Sequence, residues 1–284
     1  MATTAAEGRA RFGGHPTPRK VTDVVMRWLM GVAVAIAVLP LALLLLYVIG
    51  KGLPVLSLEV LTTSGSGGFF HAIVGSAIIL AIAVVIGIPW GILVGVYLAE
   101  FSRGRLGRVV RFFSDVLTGV PTIVTGLVVY GLLVLSTGNF SAWAGGVALG
   151  VIMVPIVSRS TEEMLNLVPD SLREAALALG MPKWRVVTRV VLPTAVAGII
   201  TGALLAIARA SGETAPVLVT TLGSNFLVTR LDGPIMSLPL YVYQQASQFS
   251  AQAQALAWAA CLVLIAFVLL LNLTARLIGR RSKI

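Results

Sequence analysis

The sequence predicts an all-α integral membrane protein with about six crossing helices, and three observations carry that prediction. Apolar residues make up 57% of the 284-residue chain. Charged residues make up only 11%, against roughly 25% in an ordinary soluble domain. Uncharged apolar runs long enough for a bilayer, which needs about 20 residues per helix, recur along the chain. Such a composition cannot cover a water-soluble globule with polar groups, and it is too hydrophobic for a disordered chain. The single cysteine, Cys261, excludes an internal disulfide and a multi-cysteine metal cluster.

The spans follow in order. Trp28 to Gly50 carries no charge, and Ala72 to Ala99 is a second such run. The first run is too long for a secretory signal, and Lys51 follows it like a stop-transfer flank. Val116 to Ser158 holds two crossings, separated by the turn residues Ser136-Thr137-Gly138-Asn139. Pro121 is expected to open the first of them. Val190 to Thr229 is apolar apart from Arg209 and Glu213. Gly233 to Ala275 is uncharged, but Gln244, Gln245, Gln248, Gln252 and Gln254 crowd its first half, so the last span is expected from about Ala251.

Basic residues orient the bundle. Of the 21 Lys and Arg, eighteen fall before span 1, between spans 2 and 3, between spans 4 and 5, and after span 6. Only Lys51 and Arg230 fall on the other side. This asymmetry places both termini in the cytoplasm and accounts for most of the +10 net charge. Membrane lipid is therefore the partner of those charges, and no basic surface is left for nucleic acid. Residues 1–24 read as a disordered cytoplasmic tail, ahead of a transmembrane domain over residues 25–284. Glu100 and Asp115 are expected to pair locally with Arg103 or Arg111, His71 to sit in an outside loop, and Asn272 to hydrogen-bond between helices.

The loop over residues 158–193 is long where other loops are short. Ser171-Leu172-Arg173-Glu174 has the pattern of a capping box, in which Ser and Glu satisfy each other's backbone N–H groups. Good helix formers follow up to Leu179. Gly180 can take the left-handed conformation that ends a helix, and Pro182 forbids continuation. A second, amphipathic helix is expected from Lys183 to Val191, with Pro193 ending it. The segment reads either as an ordinary capped surface turn or as a rigid element that receives force from a soluble partner.

Glu174-Ala175-Ala176, then Gly180, then Val190-Val191-Leu192-Pro193 resembles the EAA motif of ABC importer permeases, E-A-A-x3-G-x9-I-x-L-P. Val190 replaces the usual Ile. The resemblance implies the transmembrane domain of a type I ABC importer, with Glu174, Ala175, Ala176, Gly180, Leu192 and Pro193 coupling it to an ATPase.

Arg209 and Glu213 stand inside a span, where an Arg costs about 2.5–3.5 kcal/mol on the insertion scale. Such residues face a cavity or a partner. At i and i+4 the two would share a helix face. Pro216 frees the carbonyl of Gly212, so a broken turn is expected beside them. The pair reads as a structural ion pair or as an anion site. In the second reading the guanidinium holds a tetrahedral oxyanion. Glu213 then positions Arg209 or accepts the O–H of a protonated phosphate, which sulfate lacks at neutral pH.

Arg209-Ala210-Ser211-Gly212-Glu213-Thr214-Ala215-Pro216 resembles the R-x3-E-T-A-P stretch of the A-type permeases of phosphate-specific ABC importers. Gly119 to Leu127 and Leu238 to Tyr243 resemble further stretches of that family. The resemblance implies a bacterial plasma-membrane subunit that imports inorganic phosphate, with Arg209, Glu213 and Thr214 on the solute path. Its implied partners are a second phosphate permease, a cytoplasmic ATPase dimer and an external phosphate-binding protein. This chain would carry no cofactor, since ATP and Mg belong to the ATPase and no nucleotide-binding G-x-x-x-x-G-K-[ST] loop occurs here. Sulfate or molybdate is the alternative cargo. A membrane-embedded enzyme is not supported, because no nucleophile elbow or H-E-x-x-H motif is present.

Overall fold

A computed structural model describes residues 18–102 and 104–281. In chain order the helices are α1 (Pro18–Gly52), α2 (Phe70–Val96), α3 (Arg105–Gly119), α4 (Thr122–Val129), α5 (Ala142–Asn166) and α6 (Asp170–Ala178). They continue as α7 (Lys183–Val186), α8 (Leu192–Ala210), α9 (Ala215–Thr221), α10 (Leu238–Ala246) and α11 (Ala251–Arg281). Beyond shorter helical turns, the described residues add one isolated bridge, Leu222 to Ile235. Five continuous helical stretches are long and apolar enough to cross a membrane: Val21–Gly52, Phe70–Phe101, Ala142–Asn166, Lys183–Ala210 and Ala251–Gly279. The pair Arg105–Gly119 and Thr122–Thr137, bent by 104°, brings the number to six.

Residues up to Tyr47 form one unit, and Val48 onward forms another. In the first, α1 begins at Pro18, so residues 18–24 are helix rather than tail. Pro is tolerated in a first helical turn, and Val21, Val24 and Val25 carry the apolar pattern upstream of Trp28. Residues 1–17, the rest of the expected tail, lie outside the described residues.

The second unit is built on α2 and α5, which run parallel at glycine distance. A Cβ on Gly87 would stand 2.7 Å from Cβ of Met153, and one on Gly91 would stand 2.6 Å from Cβ of Val157. On Gly95 it would stand 2.6 Å from the carbonyl oxygen of Ser158. Spaced four apart, these glycines form one stripe, and such stripes let helix backbones approach closely where lipid offers no hydrophobic drive. α8 runs antiparallel across α5, with Gly198 against Met164 and Gly202 against Ser160. The buried core includes Phe69, Ile79, Met153, Leu240 and Tyr241.

Several expectations are corrected. The third span does not begin at Val116, because residues 116–119 end α3. Val120 is extended (φ −69°, ψ 131°), as the residue before a proline tends to be, and Pro121 caps α4. Nor does Pro193 end a helix. A π turn, Val187–Val191, takes up its missing N–H: Leu192 N–H donates to the Val187 carbonyl, five residues back, and Lys183–Ala210 is continuous. His71 is buried at the start of α2, where its Nδ1 accepts the Gly65 N–H at 3.4 Å and its ring lies edge-on to Tyr241. Asn272 donates to the Val268 carbonyl of its own helix at 3.0 Å. The turn at Gly138 (φ +71°) and the start of the last helix at Ala251 fall where expected.

Candidate functional site

α8 stops at Ala210, one residue after Arg209. Ser211, Gly212 and Glu213 form a tight turn, in which Gly212 N–H donates to the Arg209 carbonyl at 3.2 Å and Glu213 N–H to the Ala210 carbonyl at 3.2 Å. Thr214 then caps α9, with Pro216 in its first turn. The broken turn is where the sequence places it, but the shared helix face of Arg209 and Glu213 is not. Helical spacing holds only inside a helix, and this one ends between them. Glu213 is half-buried in a mostly apolar cavity of about 150 Å³, beside Ile73, Ser76, Val263 and Phe267. Arg209 is exposed and lines a separate, polar cavity of about 420 Å³. Thr214 is half-buried and lines neither cavity.

The polar cavity gathers three arginines and three carboxylates from α3, α5 and α8: Arg111, Arg159, Arg209, Asp115, Glu162 and Glu163. Arg111 pairs with Glu162, with Nε at 3.2 Å from Oε1. Arg159 divides itself between Asp115 at 3.1 Å and Glu163 at 2.9 Å. All three carboxylates are thus engaged by two arginines. Among the described residues, Arg209 makes neither an ion pair nor a side-chain hydrogen bond. The expected local pair of Asp115 with Arg111 gives way to Arg159, because α5 lies against α3 and carries its charges there.

The 158–193 segment is also shorter as a loop than expected, since α5 continues to Asn166. The capping box does not form. α6 starts at Asp170, with Pro169 as its cap and no side-chain cap bond, so Ser171 is already inside the helix. Glu100 pairs with Arg173 of this helix; Arg103, its expected partner, lies outside the described residues. The far end matches the sequence. Gly180 takes φ +79°, its N–H donates to the Leu177 carbonyl at 2.9 Å, and Met181 N–H donates to the Ala176 carbonyl at 3.3 Å. These two bonds make a Schellman end. Of the residues assigned to coupling, Glu174, Ala175, Gly180 and Pro193 are exposed, Leu192 is half-buried and Ala176 is buried. Exposed Leu172, Leu177 and Leu179 share this end of the bundle.

Comparison with known proteins places this architecture. A family model described as the inner membrane component of binding-protein-dependent transport systems matches residues 87–284. The chain is 44% identical over 265 residues to the phosphate transport system permease protein PstA of Pasteurella multocida, covering 91% of this chain and 95% of that one. It is 39% identical over 271 residues to PstA 1 of Mycobacterium tuberculosis strain H37Rv, covering 92% and 88%. The chain belongs to the PstA permease family. Solved structures share the fold of this PstA-family chain. A bacterial alginate ABC transporter aligns with a TM-score of 0.65 at 14% identity, covering 93% of this chain and 99% of that one. The inward-facing MetNI methionine transporter aligns with 0.59 at 22% identity, covering 74% and 95%. In this family member, residues 87–284 contain both the polar cavity and α6. Arg111, Asp115, Arg159, Glu162 and Glu163 escape a reading that treats basic residues near span ends only as orientation signals. The spacing of Arg159, Glu162 and Glu163, at i, i+3 and i+4, is the signal that could have found three of them.

Proposed function

We propose that this chain is the membrane-spanning permease subunit of an ATP-driven, binding-protein-dependent importer that moves inorganic phosphate into the cytoplasm by alternating access. It is a transport subunit, not an enzyme. The single observation that carries the cargo assignment is Arg209, a guanidinium without an ion-pair partner among the described residues, facing a cavity whose other arginines are already engaged. A free guanidinium fork at that depth suits a tetrahedral oxyanion. Three carboxylates against two arginines leave an excess of acceptors beside it. That excess repels a fully deprotonated anion such as sulfate and accepts the O–H of a protonated phosphate. Glu213 and Thr214 occupy the turn that follows. Extending α8 by one turn would bring Glu213 onto the Arg209 face, so the two groups can meet the ion in different states of the cycle.

The charge asymmetry of the sequence sets the orientation, with both termini and α6 on the cytoplasmic side of a bacterial plasma membrane. There α6 docks on an ATPase pair, which holds ATP and Mg. A second permease completes the pathway, and an external binding protein delivers phosphate. ATP binding closes the ATPase pair and moves α6, and the bundle opens outward. Hydrolysis resets it.

Purification of the chain from its native membrane tests this reading. A second permease and an ATPase are expected to co-purify, and ATP turnover is expected to rise with phosphate-loaded binding protein but not with sulfate. Equal stimulation by sulfate would remove the cargo assignment. The docking role makes a separate prediction at Gly180, where φ is +79° and a Cβ would meet nothing within 4 Å among the described residues, so that within this chain the effect of a side chain is conformational strain. Gly180→Val, at about 1–2 kcal/mol for the left-handed backbone, is expected to lower ATPase co-purification several-fold, while Gly180→Asn retains most of it.

A further inference from the structure

Both helices of the docking segment hold one residue, Glu100, at the end of the Phe70–Phe101 span. From α6, Arg173 donates to Glu100 Oε1 twice, through Nη2 at 2.8 Å and Nε at 3.1 Å. From α7, Lys183 Nζ donates to the Glu100 carbonyl oxygen and stands 4.9 Å from the centroid of the Phe101 ring. The Arg173 and Glu100 side chains are only 17% and 7% exposed. The other Arg173 donors go to the carbonyl oxygens of Leu165, at 2.7 Å, and of Val168, and to Asp170 at 3.2 Å. One guanidinium thus ties the start of α6 to the ends of the α2 and α5 spans, whose glycines interlock.

Glu100 also sits in a π turn, Tyr97–Phe101. Such turns are local departures from the regular helix, often found at functional sites. A helix ending in one could absorb a push at its tip instead of passing it on. Here the turn is gripped on its carboxylate by Arg173 and on its backbone by Lys183. Buried ion pairs add little net stability against apolar residues of similar shape. What the planar guanidinium fork supplies is fixed direction, which a sliding apolar contact does not.

We propose that Arg173 and Glu100 form the rigid link through which motion of α6 drives the α2–α5 pair. They act as positioning residues, through each other and the helices they join, and they set how much phosphate moves per ATP. This rests on the reading of α6 as the ATPase docking element.

The test uses the full complex in proteoliposomes. In a Cys261→Ala background, Glu100→Cys and Arg173→Cys are combined and then joined by a short bis-methanethiosulfonate linker. Phosphate uptake, ATP turnover and ATPase co-purification are measured before and after linking. Before linking, the variant is expected to hold its ATPase and to hydrolyse ATP whether or not phosphate-loaded binding protein is present. Uptake per ATP is expected to fall about tenfold, within the range of mutations along a coupling route. Linking is expected to restore both uptake and its dependence on the binding protein. Wild-type coupling before linking, or uncoupled turnover after it, overturns the proposal. Arg173→Lys supplies a second reading should the double variant not assemble: it keeps the charge and loses the fork, and an unchanged uptake per ATP overturns the proposal as well. If the reading of the chain as a phosphate permease fails instead, the unaltered complex itself takes up no phosphate with ATP.

Discussion

Arg209→Ala is expected to reduce ATP-driven phosphate uptake by about 100-fold while the complex still assembles. Hydrogen bonds to charged groups are worth about 1.5–3 kcal/mol each, and about 2.7 kcal/mol corresponds to a factor of 100. The effect is this large because no neighbour can substitute. Arg111 and Arg159 are committed to Glu162, Asp115 and Glu163. Arg209→Lys keeps the charge but not the fork, and about a tenfold loss is expected. Initial rates of radiolabelled phosphate uptake into proteoliposomes decide the matter. A wild-type rate in Arg209→Ala would move the anion contact elsewhere.

Gly91→Leu is expected to remove the protein from the membrane altogether. A Cβ at Gly91 would stand 2.6 Å from Cβ and 2.8 Å from Cγ1 of Val157, and 3.1 Å from the Val154 carbonyl oxygen. None of these atoms is the tip of a long side chain that can swing away. Overpacking by even a few atoms costs about 1–3 kcal/mol, and Leu adds four carbons at a site without room for one. The α2 and α5 spans would have to separate, and the glycines on either side hold them at the same distance. Gly31→Leu on α1, where a Cβ meets nothing within 4 Å among the described residues, serves as the control. Immunoblots of membrane fractions should show normal amounts of the Gly31 variant and little of the Gly91 variant. Equal amounts would mean that the close α2–α5 approach is not required for folding.

These two residues also mark what the sequence makes legible. Composition and apolar run length reveal the spans, because lipid imposes a length on every crossing helix. Turn chemistry at Gly138 and Gly180 reads correctly, because a left-handed backbone demands few residue types. Arg209 stands out for the cost of a charge inside an apolar run. What stays hidden is tertiary. The bend at Val120-Pro121 follows a local rule, yet the apolar run passes through it without a break in composition. The π turn at Val187–Val191 lets a proline sit within a continuous helix, which periodicity cannot signal. The partners of Asp115 and Glu100 lie 44 and 73 residues away along the chain. Local pairing rules point to Arg111 for Asp115 and cannot reach either partner. The separation of Arg209 from Glu213 has the same origin, since spacing gives a shared face only while the helix lasts.

Phosphate import by this route requires Arg209 to stand in a water-filled path that phosphate follows. The most direct measurement places a single cysteine there, Arg209→Cys in a Cys261→Ala background, within the assembled complex in inside-out vesicles. A small cationic methanethiosulfonate reagent should label it, phosphate should slow the labelling, and the charge it adds should restore part of the lost uptake. An anionic reagent of the same size should label without restoring. Position 209 refusing both reagents, with and without ATP, would mean that Arg209 lines no such path.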